Sequence, residues 1–254
     1  MSFEALELRE SHPDEPTPVH VVPGGRDDDN PAPPLDLFGV HKAWGKKKKQ
    51  RNPVLRGVDL TLEPGAVTWI GGRNGAGKTT LLRVASGLIG AEKGYVLAFG
   101  LDPMRDRREF QRRVAFLSAG NTGLYARLTV RTQIDTWARI SFVDRRERPA
   151  AVQRALEDFE LVDLAEARCD RISMGQRQRV RLAMTFVSRP DLVLLDEPGT
   201  SLDDEGHAVL RSAIGELVGR GGAVLWVSPS GDQAQADASF TERYMLADGK
   251  LTEL

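Results

Sequence analysis

Gly72-Arg73-Asn74-Gly75-Ala76-Gly77-Lys78-Thr79 combines three glycines with a lysine and a threonine at the spacing of a phosphate-binding loop. Before it, the apolar run Ala66 to Ile70 reads as a buried strand. After it, Leu81, Leu82, Val84, Ala85, Leu88 and Ile89 recur at helical spacing and stop at Gly90. Gly72, Gly75 and Gly77 let the backbone turn tightly, so that the N–H groups of Asn74, Ala76 and their neighbours point inward. The helix that follows adds the positive end of its dipole. Such a cradle suits a polyphosphate: Lys78 would reach the β- and γ-phosphates, the Thr79 hydroxyl would ligate Mg²⁺, and Thr80 lies one residue further along the same edge. ATP with Mg²⁺ is the expected ligand.

A second segment agrees with the first. Leu192-Val193-Leu194-Leu195 is a strand-length apolar run ending in Asp196, where a carboxylate would face the metal beside the loop. Glu197 follows, one residue beyond, placed to orient and deprotonate an attacking water. The competing reading of this pair is a simple cap on the next helix.

Working outward, apolar strands alternate with amphipathic helices as far as Ala223 to Val227, the pattern of a parallel sheet covered on both faces. Residues 1 to 34 hold seven of the fourteen prolines, the acidic run Asp27 to Asp29 and few large apolar residues, a composition expected of a disordered tail. The domain is expected over 35–254, with mainly helical character from about 120 to 177 although Pro149 falls within it. Lys46 to Lys49 reads as a solvated hairpin tip. Charge is balanced, 35 Lys+Arg against 36 Asp+Glu, so no basic field draws the chain to nucleic acid. The single cysteine, Cys169, excludes an internal disulfide and a zinc cluster, and no apolar run has membrane-spanning length.

Ile172-Ser173-Met174-Gly175-Gln176, about twenty residues before Asp196, resembles the Leu-Ser-Gly-Gly-Gln signature of ATP-binding cassette (ABC) proteins, with Ile for Leu and Met for the first Gly. The resemblance implies a P-loop NTPase fold of the RecA-like kind: a parallel α/β core, an N-terminal antiparallel β subdomain and an inserted helical subdomain. It implies that Ser173, Gly175 and Gln176 meet the γ-phosphate held by an opposite cassette, in a homodimer or a heterodimer. Trp44 then sits where an aromatic stacks on adenine, though a purely packing role is the alternative. Ser201-Leu202-Asp203 resembles the loop that crosses the dimer interface, and residues 243 to 251 resemble the closing strand–turn–strand. The likeness extends from about 36 to 252.

From it follow a transmembrane transporter subunit as partner, a cytoplasmic location on the inner face of the membrane through that partner, and ATP hydrolysis carried by Glu197 and Lys78. Leu101-Asp102-Pro103 and Leu124 to Val130 are similar to cassettes of drug- or antibiotic-type exporters.

Two positions depart from the pattern. The family's Gln at the end of Val114 to Ser118 is replaced by Ala119, with Asn121 the nearest amide, and its His after the last core strand is replaced by Pro229. Pro offers neither an ionisable group nor an N–H. His207 falls on a later helix and is no substitute. Slow turnover at this chain's own site is therefore expected, with a regulatory, ATP-binding role as the alternative.

Overall fold

The structure is a computed structural model that describes residues 31–45, 51–120, 123–231 and 239–254. The tail expectation for residues 1–30, the Lys46 to Lys49 hairpin tip and Asn121 lie outside the described residues.

Two sheets share the chain. Strands β1 (Leu35–Trp44), β2 (Asn52–Leu62) and β4 (Lys93–Leu97) form an antiparallel sheet in the order β2-β1-β4. The main sheet contains β3 (Val67–Gly71), β5 (Val114–Leu117), β6 (Leu192–Asp196), β7 (Ala223–Val227), β8 (Glu242–Ala247) and β9 (Lys250–Glu253), in the order β5-β6-β7-β3-β8-β9. All neighbours in it are parallel except β8 and β9, the closing hairpin.

The central strands are almost wholly apolar, with Thr68 and Asp196 the polar positions in β3 and β6, because both faces are covered. Successive side chains point to opposite sides. Leu192 and Leu194 therefore join one core with Leu81, Leu82, Val84 and Phe110, while Val193 and Leu195 join another with Ile134, Leu156 and Val180. Burying each such side chain contributes about 1.5–3 kcal/mol. The same alternation turns Asp196 toward the face of Leu192 and Leu194, which is covered by α1 (Lys78–Ala85). A carboxylate at the end of this strand is thus delivered to the helix that begins with Lys78 and Thr79.

The helical coverage of the second face comes from α3 (Val130–Ile140), α4 (Arg148–Asp158), α5 (Met174–Phe186) and α6 (Asp204–Gly219), with α2 (Arg107–Arg113) preceding β5. Pro149 lies in the first turn of α4 and starts it, since the N–H it lacks has no partner there. One difference from the sequence reading concerns α1. It closes at Ala85, short of Ile89, because Gly87 adopts φ 69°, a left-handed stop. Leu88 is consequently exposed.

Candidate functional site

In the loop between β3 and α1, two of the glycines stand where a side chain has no room. Gly75 and Gly77 have φ 82° and 107°, and a Cβ on Gly77 would stand 2.6 Å from Val54 Cγ1. A Cβ on Gly72 would stand 2.6 Å from the Leu246 carbonyl oxygen. The amide of Ala76 bonds Arg73 O at 3.0 Å, and Leu81 N–H bonds Gly77 O at 2.8 Å, starting the helix. Lys78 is buried and folds back over the loop, its Nζ donating to Gly72 O at 2.7 Å and Arg73 O at 3.2 Å. Burial pushes its pKa down, opposed by the charges of Glu197 and Asp196.

Asp196 is 1% exposed. Its carboxylate lies beside the Thr79 hydroxyl and the Ala119 backbone N–H, and Oδ2 has no hydrogen-bond partner. A buried, unpartnered carboxylate oxygen beside a threonine hydroxyl fits a divalent cation that prefers oxygen. Mg²⁺ is such a cation, usually held by one or two protein oxygens plus phosphates.

Burial raises the Asp196 pKa, and the nearby Thr79 hydroxyl and Ala119 N–H and the charges of Lys78 and Arg83 do not offset it. With the folded value above the unfolded 3.8, the folded state holds the extra proton, so stability falls as pH rises through that window and stays lower above it. Asp196→Asn is expected to raise the melting temperature of the ligand-free protein at pH 7 while abolishing the extra stabilisation that Mg²⁺ gives to bound ATP. Thermal unfolding with and without Mg-ATP checks both halves.

Glu197 leaves the strand with φ 51°, a left-handed conformation uncommon away from glycine, fixed by its N–H donating to Val227 O at 2.9 Å. The segment after β7 lines the loop as well: Ser230 N–H meets Gly72 O at 3.3 Å, and buried Ser228 Oγ accepts from Trp69 Nε1 at 2.9 Å.

Trp44 ends β1 half-exposed, its Nε1 3.3 Å from Thr80 Oγ1. It therefore stands beside the first turn of α1, with Lys42 Nζ 5.6 Å from the centre of its ring. Ser173, Gly175, Gln176 and Asp203 form a second group. Ser173 and Gln176 make a reciprocal capping box at the start of α5. Ser173 Oγ accepts there from Gln176 N–H at 3.1 Å, so its hydroxyl hydrogen is still available to a ligand. A Cβ on Gly175 would lie 3.3 Å from Ser201 O and 3.8 Å from Asp203 Oδ2, and Asp203 caps α6 by accepting from Gly206 N–H. His207 lies on α6, its ring 3.1 Å from where a Gly199 Cβ would be.

Sequence reasoning did not assign Gln178, Arg181 or Ser228 to this region. All three are buried. The signal for the first two was a polar run on a helix that also carries Val180, Leu182 and Ala183, a helix with no wholly solvated face.

The sequence profile of the ABC transporter family matches residues 55–200, more than half of the chain. The chain belongs to the ABC transporter family. It is 33% identical over 202 residues to the ABC transporter ATP-binding protein NatA of Bacillus subtilis, covering 80% of this chain and 82% of that protein. It is 34% identical over 191 residues to the daunorubicin resistance ATP-binding protein DrrA3 of Streptomyces coeruleorubidus, covering 75% of this chain and 58% of that one. The fold matches that of a dimeric ATP-binding cassette solved with ADP and phosphate in a post-hydrolysis state. The TM-score is 0.75 and the identity 22%, over 87% of this chain and 97% of that one. Like these proteins, the ABC chain described here pairs an antiparallel sheet with a mostly parallel one of the P-loop NTPase kind.

Proposed function

We propose that this ABC protein is the ATPase subunit of a membrane transporter of exporter type, binding Mg-ATP at Gly72 to Thr80 and driving a separate transmembrane partner. The observation that carries the reading is the convergence of the glycine loop, Lys78, Thr79 and the partnerless Asp196 Oδ2 at one point. Lys78, freed from the loop carbonyls, binds the phosphates. The Asp196 carboxylate and Thr79 hydroxyl hold Mg²⁺, which when bound neutralises charge on the phosphates. Glu197 accepts the proton of the attacking water, and Trp44 stacks on the base. Ser173, Gly175, Gln176 and Asp203 serve the nucleotide of a second cassette.

Among the described residues no helix is long and apolar enough to cross a membrane, so attachment to the cytoplasmic face is assigned to the partner. Drug export is supported by the likeness to the daunorubicin resistance protein, of which this chain spans little more than half. Residues 35–254 form the cassette in this reading, and Pro33 and Pro34 are already buried against it, Pro33 O accepting from Phe99 N–H at 2.9 Å.

The chain's own site turns over slowly. Ala119 contributes only its backbone N–H, beside Asp196, and Pro229 brings no donor to the γ-phosphate. Loss of one preorganised donor costs about 3–4 kcal/mol, or about 10²- to 10³-fold in rate. The purified chain alone should bind Mg-ATP yet hydrolyse it about that much more slowly than when mixed with a cassette that retains both groups. Equally brisk hydrolysis by the chain alone, at any concentration, rules the slow site out.

A further inference from the structure

We infer that Arg181 is a positioning residue of the nucleotide site, a guanidinium strut that ties the end of β5 to the residue behind Glu197. The inference rests on the Mg-ATP reading above and adds a residue to it. Arg181 lies inside α5 and is 4% exposed. One branch of its fork donates to Gln178 Oε1 at 2.8 Å, and the other donates to the Ser118 carbonyl oxygen. Gln178, one turn earlier, uses its own amide to donate to Pro198 O at 2.8 Å.

The two carbonyls reached in this way flank the candidate site. Ser118 immediately precedes Ala119, whose backbone N–H lies beside the Asp196 carboxylate, and Pro198 immediately follows Glu197. The segments on either side of Asp196 and Glu197 are thus tied together by Arg181 acting through Gln178, two buried side chains on α5. Burying a guanidinium is costly, and an apolar side chain of similar volume packs such a position equally well or better. What the fork supplies instead is geometry: two planar donors of fixed separation, which a lysine lacks. It acts where Ala119 offers no side chain to do the same.

Arg181→Met and Arg181→Lys test this with two readouts. The first is backbone hydrogen exchange in the ligand-free protein. Exchange at Ala119 is expected to quicken about tenfold or more in Arg181→Met and less in Arg181→Lys, with β3 amides unchanged, as for the loss of a charged hydrogen bond. The second is the ratio of ATP affinities with and without Mg²⁺. It should fall about tenfold in Arg181→Met, while affinity in EDTA stays near that of the wild type.

Unchanged exchange at Ala119 together with an unchanged ratio overturns the inference, as does an equal loss of affinity in both conditions. Should Arg181→Met fail to fold, Arg181→Lys and Gln178→Leu carry the same two measurements. Absence of Mg-ATP binding by the wild type would instead overturn the site itself, and the exchange measurement would still decide the strut.

Discussion

Glu197→Gln is expected to slow single-turnover ATP hydrolysis by about 10²- to 10⁴-fold, the usual contribution of a positioned general base. Glutamine keeps the volume and hydrogen-bonding reach of the side chain but cannot accept the proton. The backbone should hold, because the left-handed turn at this position is fixed by its N–H bond to Val227 O rather than by the carboxylate. Mg-ATP affinity is therefore expected to remain close to that of the wild type, so the loss falls on the chemical step and not on binding. Rapid-quench hydrolysis with radiolabelled ATP, beside equilibrium binding, separates the two. A variant that hydrolyses at the wild-type rate would remove Glu197 from the mechanism. One that no longer binds would reassign it to holding nucleotide.

Trp69→Ala is expected to cost about 3–5 kcal/mol of stability, the range for truncating a large buried aromatic. In a chain of this size that lowers the melting temperature by about 6–20 °C. Trp69 is fully buried in β3, and its ring covers Gly71 so closely that a Cβ there would sit 2.2 Å from it. Its indole N–H is also the partner of Ser228 Oγ, which is itself fully buried. Truncation therefore opens a cavity directly behind the phosphate loop and orphans a hydroxyl. Trp69→Phe keeps most of the ring and loses only the hydrogen bond, so it should cost about 1 kcal/mol plus a small packing term. Urea unfolding of both variants, with the slope unchanged, checks the difference. A Trp69→Ala protein as stable as the wild type would mean that β3 is not held by this contact.

Much of this was legible in the chain itself. Glycines at 72, 75 and 77, followed by Lys78 and Thr79, point to a tight turn: Gly75 and Gly77 take left-handed angles, and Gly72 and Gly77 have no room for a Cβ beside the Leu246 carbonyl and Val54. The unbroken apolar runs at Leu192 to Leu195 and Ala223 to Val227 required a sheet covered on both sides, and the period of two then fixed the face on which Asp196 would emerge. Pro149, which the sequence reading placed inside a helical stretch, instead starts α4. The early end of α1 was missed because nothing in the apolar spacing distinguishes a helix that continues from one stopped by Gly87.

Other features depend on groups distant in sequence and could not be read from spacing. Arg181 meets Ser118 from 63 residues away, and Trp69 meets Ser228 from 159. In the sequence, Arg177, Arg179 and Arg181 look alike. Packing buries both Arg179 and Arg181, turning the first to Glu160 and Glu205 and the second to Ser118 and Gln178. The unpartnered Asp196 Oδ2 is of the same kind, since only the fold buries that oxygen and leaves it without a partner. Sequence periodicity sets which face of an element is apolar, but the tertiary fold decides which polar groups that burial leaves needing one another.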